Sequence, residues 1–101
     1  MTRIRMLGQA GDYTGFEVSG HAGAGSKGND LVCAAISFLA TTCANALISV
    51  AGAQVQATQE EGYLKAELAA QGNQKAQTIL ATFYQGAKDL QEAHPRHVKL
   101  I

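Results

Sequence analysis

The stretch GHAGAGSKGNDLVCAAIS, from Gly20 to Ser37, combines a histidine, a glycine-rich loop and a cysteine close to a predicted helix start. The alternating residues Tyr13 to Ser19 predict a strand that ends just before His21. Asp30 is a good N-cap, which places Cys33 in the first turn of the helix that follows. The unpaired N–H groups and the positive dipole end of that turn favour a thiolate. A thiolate beside an imidazole base is what a nucleophilic cysteine needs.

The loop between the histidine and the helix, Ala22 to Asn29, contains three glycines and no apolar residue larger than alanine. Such a loop adds nothing to a core, so its glycines favour a mobile flap or a close approach of the backbone to a ligand. We expect it to close over a substrate and to be long enough to bring His21 and Cys33 together. Taken alone, a cysteine at a helix start is usually a small buried hydrophobe. Cys43, further along the helix, is interpreted in that way.

The segment resembles the ribosomal-processing cysteine protease (Prp) family of bacteria. The matching residues are Gly20-His21-Ala22-Gly23, Gly28, Asp30, Val32-Cys33-Ala34-Ala35 and Ser37. The order of predicted elements in the rest of the chain fits as well, so the resemblance covers essentially all of it. Family members often carry an aromatic residue where this chain has Ala24.

Members of that family are small homodimeric cysteine endopeptidases, and we expect no cofactor here. They remove an N-terminal extension from a large-subunit ribosomal protein, cutting after an apolar, aromatic-rich segment. The resemblance implies that Cys33 is the nucleophile and that His21 is its base. We expect the substrate loop to include Gly20, Ala22, Gly23, Gly25 and Gly28. We expect Asp30 and Ser37 to support the site, and the N–H of Cys33 or of a neighbour to stabilise the oxyanion.

The predicted helix, from about Leu31 to Val50, is apolar over most of its circumference. Cys33, Ser37 and Thr41 are spaced by four residues, so they form one narrow polar stripe. Ser37 either forms a hydrogen bond within the site or bonds back to the helix carbonyl one turn earlier. Because no charge follows the cap, we expect the helix to pack on two sides, against the sheet and against either the second helix or a second subunit.

The same helix is long enough to be considered as a membrane span. Its five Ser, Thr and Asn residues, and the lack of basic or aromatic anchors at its ends, favour a buried helix instead. The alternating N-terminus is not typical of a signal peptide. Cys33 and Cys43 are ten residues apart on one helix, roughly 15 Å, which is too far for a disulfide. Reduced thiols fit a cytoplasmic protein.

The composition indicates one globular domain over residues 1–101. Apolar residues make up 47% of the chain and charged residues 16%, and eight basic residues balance eight acidic ones. We therefore expect neither direct nucleic-acid binding nor a membrane partner. So few charges also indicate that a partner covers part of the surface, as in a homodimer.

The periodicity predicts an α+β domain with the order ββαββαβ, in which two helices pack on one face of a mixed sheet. Asn73 is the expected cap of the second helix, and His94-Pro95 ends it. The predicted strands lie around Ile4 and Met6, at Tyr13–Ser19, around Ala53–Ala57, around Tyr63–Leu68 and at His97–Ile101. On the fourth strand, Leu64, Ala66 and Leu68 are expected to face inward, and Tyr63, Lys65 and Glu67 outward.

The motifs also allow other interpretations. His94 and His97 could join His21 and Cys33 as zinc ligands, but no pair has a ligand spacing, so we expect no metal site. The glycines do not form a phosphate loop, because Lys27 precedes the last glycine. Two functions besides proteolysis stay open. One is a ribosome-associated binding module in which Cys33 is structural, and the other is a thiol redox sensor in which Cys33 is oxidised.

Overall fold

Five strands and two helices follow one another along the chain. They are β1 (Thr2–Gln9), β2 (Asp12–Ser19), α1 (Lys27–Ser49), β3 (Val55–Glu60), β4 (Tyr63–Leu68), α2 (Gln74–Ala93) and β5 (Val98–Leu100). The computed structural model describes residues 1–20 and 27–101, and of residues 27–30 it describes the backbone alone. The order ββαββαβ confirms the predicted fold class.

The strands form one mixed sheet in the order β3-β4-β2-β1-β5. Neighbouring strands are antiparallel except for β5, which pairs in parallel with β1. A bulge between Leu7 and Gly8 shifts the register of β1 against β2. The pairing of β3 with β4 is regular over all six residues, from Val55 opposite Leu68 to Glu60 opposite Tyr63.

Both helices pack on one face of the sheet, as predicted. Ile4, Phe16 and Ala66 are fully buried on that face, and the rings of Phe16 and Phe83 stack with their centroids 3.8 Å apart. On β4, Leu64 and Leu68 pack against the same core. The alternate residues of β4 lie on the opposite face, as the alternation predicts: the Lys65 Nζ is 3.7 Å from the Glu67 carboxylate, and the Tyr63 hydroxyl donates to Glu17.

The second helix begins and ends where the sequence predicts. Asn73 is its N-cap: the Asn73 Oδ1 accepts from the backbone N–H of Ala76 at 2.8 Å. The Asn73 Nδ2 also donates to the carbonyl of Ala51 at 2.8 Å, which ties the start of α2 to the chain that follows α1. The helix ends at Ala93, just before His94.

The two helices contact each other through a glycine. A Cβ atom added at Gly86 on α2 would lie only 2.8 Å from both Cδ atoms of Leu39 on α1. The missing side chain leaves room for the end of the Leu39 side chain between the two helices.

The first helix begins earlier than predicted. It starts at Lys27, so Asp30 lies within the helix and is not its cap. Residues 27–29, part of the predicted loop, are helical, and Cys33 lies in the second turn rather than in the first. The unpaired N–H groups of a helix belong to its first four positions, so they do not lie beside the sulfur as predicted.

Helix α1 packs against the sheet and against α2, through residues such as Ile36 and Leu39, which is one of the two arrangements expected. Its outer face stays uncovered, since Leu31 and Phe38 are exposed. By length and composition alone, the segment Leu31–Ser49 could cross a membrane, a test that core helices of water-soluble proteins also pass. Cys43 is buried in the core, as expected, and both cysteines are thiols rather than a disulfide.

Candidate active site

A cavity of about 230 Å³ lies between α1 and one end of the sheet, and Cys33 forms part of its wall. Helix α1 supplies one side of the cavity, and the ends of β1, β2, β3 and β4 supply the other. The lining residues are Thr2, Val18, Gly20, Cys33, Ile36, Ser37, Ala40, Thr41, Gln59, Glu60, Gly62, Tyr63 and Leu64.

The polar stripe predicted on α1 faces this cavity. Cys33, Ser37 and Thr41 all line it, one helical turn apart, and Cys33 is half-buried while the other two are exposed. The helix thus presents a thiol and two hydroxyls to the same space. Ser37 is one turn from the sulfur, a position from which its hydroxyl can reach a ligand.

The cavity is apolar at its base and polar at its rim. Val18, Ile36 and Ala40 are buried, and they form the base. Gln59 and Glu60, at the end of β3, are exposed and form part of the rim. Such a surface suits a peptide that places an apolar side chain inside while its main chain stays in polar surroundings.

Gly20 connects the end of β2 to this cavity. Its φ is +85°, and an added Cβ would lie 2.6 Å from the carbonyl oxygen of Met1, so only glycine fits. Its N–H donates to the carbonyl of Gly62 at 2.8 Å, which fixes the strand end against the β3–β4 turn. In the sequence, His21 follows Gly20 directly.

Several predicted site residues lie outside the part of the chain that the structure describes. These are His21, Ala22, Gly23 and Gly25, so the predicted dyad and the substrate loop stay predictions. Gly28 and Asp30 lie in α1, and only their backbone is described.

The predicted oxyanion role of the Cys33 N–H does not fit the helix. In α1 each N–H from Leu31 onward is directed at the carbonyl four residues earlier, since the helix starts at Lys27. The N–H of Cys33 is therefore part of the helix ladder.

Gln59 and Glu60 are site residues that the sequence does not predict. They lie far from Cys33 along the chain, and a polar strand end next to a turn has no feature that indicates a functional site. Tyr63, predicted to face outward on its strand, also lines the cavity. Its hydroxyl, however, donates to the Glu17 carboxylate at 2.6 Å. This hydrogen bond, more than any other effect, raises the pKa of Tyr63.

Three solved structures show the same fold. The crystal structure of SMU.848 from Streptococcus mutans is 31% identical, has a TM-score of 0.82, and matches 100% of this chain and 94% of its own. The essential ribosomal processing protease Prp from S. aureus, with a covalently linked product peptide, is 24% identical with a TM-score of 0.87, over 99% of this chain and 97% of its own. The structure of the same protease in complex with a substrate peptide is 23% identical with a TM-score of 0.88, and the match covers 100% of this chain and 98% of that one.

A comparison with curated proteins found no match. The family model of the cysteine protease Prp, in contrast, matches residues 1–99, nearly the whole chain. With a cysteine in the wall of a cavity and a family match over residues 1–99, the chain belongs to the Prp family of cysteine proteases.

Proposed function

We propose that this protein is a cysteine endopeptidase that removes the N-terminal extension of a large-subunit ribosomal protein with a Cys-His dyad. The observation that carries the proposal is the position of Cys33, half-buried in the wall of a cavity with an apolar base. Membership of the Prp family supports the class of reaction. The S. aureus relative, a ribosomal processing protease solved with a substrate peptide, supports the class of substrate.

In the proposed mechanism, His21 takes the proton of the Cys33 thiol, and the sulfur attacks the scissile carbonyl carbon. The C–N bond then breaks, His21 gives its proton to the leaving amine, and a thioester joins the substrate to the enzyme. A water molecule attacks this thioester, gives one proton to His21, and releases the new carboxyl end. The proton returns to the sulfur and restores the enzyme.

The remaining predicted residues have supporting roles in this proposal. Ser37, one turn after Cys33 and in the same cavity wall, donates a hydrogen bond to the substrate. Asp30 orients His21 or an N–H of the loop, and the loop after Gly20 closes over the bound peptide. Gly20 itself gives His21 a fixed point of attachment at the end of β2.

We also propose a homodimer, in which a second copy covers the outer face of α1. Leu31 and Phe38 lie on that face with 75% and 74% of their surface exposed. Large apolar side chains exposed on the same helix face, here two turns apart, mark an interaction surface, and a twofold axis would bring the two faces together. The proposed compartment is the bacterial cytoplasm, where thiols stay reduced.

Mass spectrometry of ribosomal proteins that carry their N-terminal extensions tests the proposed activity. The wild type should release an N-terminal fragment, and Cys33→Ala and His21→Ala should not. Cys43→Ala is the matched control, because it removes the other thiol without touching the cavity, and it should still cleave. Cleavage by Cys33→Ala at a rate similar to the wild type would show that the nucleophile is misassigned.

The two other functions predict different outcomes in binding and oxidation experiments. A binding module would retain its ribosomal protein without cutting it, and Cys33→Ser would not change the affinity. A redox sensor would react with peroxide at Cys33, as shown by a mass increase, and would leave every peptide intact.

A further inference from the structure

We infer that the outer edge of β3 binds the substrate peptide as a sixth strand of the sheet. The inference rests on the proposed function, because it assigns the path of the peptide that Cys33 cleaves. It adds a binding surface on a different element from the one that carries the nucleophile.

The outer edge of β3 is open to another strand. In the described part of the chain, β3 is the last strand on its side of the sheet, and its pairing with β4 has no irregularity. Its sequence, VQATQE from Val55 to Glu60, contains no proline or lysine. Proteins commonly protect long edges with such residues or with a bulge, and β3 has none of these devices.

The hydrogen-bonding pattern identifies which backbone groups are available. Just before β3, the N–H of Ala69 donates to the carbonyl of Gln54 at 2.8 Å. In an antiparallel pair the bonded residues recur at every second position, so the N–H and carbonyl groups of Val55, Ala57 and Gln59 are directed away from β4. These three residues span roughly 14 Å, which is enough for a peptide of four or five residues.

The same edge leads into the cavity that contains the nucleophile. Gln59 and Glu60, at the end of β3, line the cavity together with Cys33. Val55 and Ala57 lie opposite Leu68 and Ala66, which face the helices. A peptide paired with this edge would therefore place every second side chain on the α1 side, toward the cavity. Strand addition takes affinity from main-chain hydrogen bonds and specificity from such alternate side chains.

A second copy of the chain is a poorer occupant of this edge. The exposed side chains of β3 include Gln56, Thr58 and Gln59, followed by the carboxylate of Glu60. The apolar surface that a permanent dimer needs lies on the outer face of α1 instead. A polar edge with main-chain donors and acceptors suits a peptide that binds, is cut and leaves.

Amide hydrogen exchange, measured residue by residue by NMR, locates the peptide. The protein is Cys33→Ala, and the peptide is an uncut segment of about twelve residues around the cleavage site of the ribosomal extension. On binding, the amides of Val55, Ala57 and Gln59 should exchange at least tenfold more slowly. Those of Gln56 and Thr58, already bonded to β4, should change little. A bound peptide that protects none of the first three amides overturns the inference, and so does protection of this edge by a second copy without peptide.

A second test uses substrate peptides that each carry one N-methylated residue, because the methyl group removes one main-chain N–H donor of the peptide. Each lost main-chain hydrogen bond should lower kcat/KM of the wild type about fivefold, the equivalent of about 1 kcal/mol. The loss should recur at every second position, with the intervening methylations as matched controls. Cleavage without this alternation overturns strand pairing and leaves the proposed function intact. A peptide that is neither bound nor cut overturns the function, and the inference with it.

Discussion

Phe38→Ala should dissociate the proposed homodimer, because this side chain is the largest exposed apolar group on the outer face of α1. Phe38 exposes 74% of its surface. An aromatic residue buries ~150–250 Å² when it is covered, so we take ~150 Å² for the exposed part. At about 25 cal/mol per Å², covering it contributes about 4 kcal/mol per copy.

Alanine retains part of that contact, so the substitution should weaken the free energy of dimerisation by about 2–3 kcal/mol for each copy. The twofold axis places the substitution twice in the interface, so the total loss of dimerisation free energy is about 5 kcal/mol per dimer. Since about 1.4 kcal/mol corresponds to a factor of ten, the dissociation constant should rise roughly a thousandfold or more. The fold itself should change in stability by less than about 0.5 kcal/mol, as is usual for an exposed position.

Sedimentation velocity over a concentration series measures this effect. The matched control is Ile101→Ala, which shortens an apolar side chain that is 52% exposed but lies at the C-terminus, outside α1. The control should sediment like the wild type. A wild type that sediments at the single-chain mass of 10.6 kDa in the micromolar range would refute the dimer. A Phe38→Ala variant that dimerises as tightly as the wild type would refute the assignment of this face.

Three further predictions follow from the described contacts. Burial raises the pKa of the Cys43 thiol, so the native protein should be alkylated at Cys33 first, whereas the unfolded protein should be alkylated at both cysteines together. Peptide mapping measures the two alkylation rates, and equal rates in the native protein would contradict the prediction. Asn73→Ala removes both hydrogen bonds of this side chain and should lower the free energy of unfolding, measured in urea, by about 2 kcal/mol. Asn73→Asp keeps the cap acceptor but loses the bond to Ala51, so it should lower the free energy of unfolding by about half as much. The hydrogen bond to Glu17 raises the pKa of Tyr63, so this bond stabilises the fold below the pKa of an unfolded tyrosine and is lost as the pH rises through the folded value. The stability difference between wild type and Tyr63→Phe should therefore disappear at strongly alkaline pH, and a constant difference would exclude this cause.

The elements that follow local rules are the ones that the sequence predicts. Alternation along β4 separates Leu64, Ala66 and Leu68 from the residues between them, because each strand position is directed to one face. Asn73 caps α2 through its own side chain, which is also a local interaction. The stripe of Cys33, Ser37 and Thr41 depends only on the helical repeat, so the prediction that these residues share one face is confirmed.

The start of α1 is different, because local signals there oppose the structure. Gly28 is a poor helix former, and Asp30 is a good cap, so the sequence favours a helix that begins after both. In the structure the helix continues back to Lys27.

The cavity rim depends on distant parts of the chain. The pairing of β3 with β4, and of β4 with β2, brings Gln59 and Glu60 to Cys33. No local pattern encodes that order of strands, so these two residues could not be predicted as neighbours of Cys33. The pattern of apolar residues likewise does not show which side of an apolar helix stays exposed.

The close contact at Gly86 links α2 to the helix that contains Cys33. Leu39, which packs against Gly86, lies about one third of a turn around α1 from Cys33. A methyl group at position 86 would meet the two terminal carbons of the Leu39 side chain, which is flexible and only partly buried. Gly86→Ala should therefore displace the Leu39 side chain and leave the backbone of α1 in place. Position 86 offers a way to alter the packing between the two helices without substituting any residue that lines the cavity.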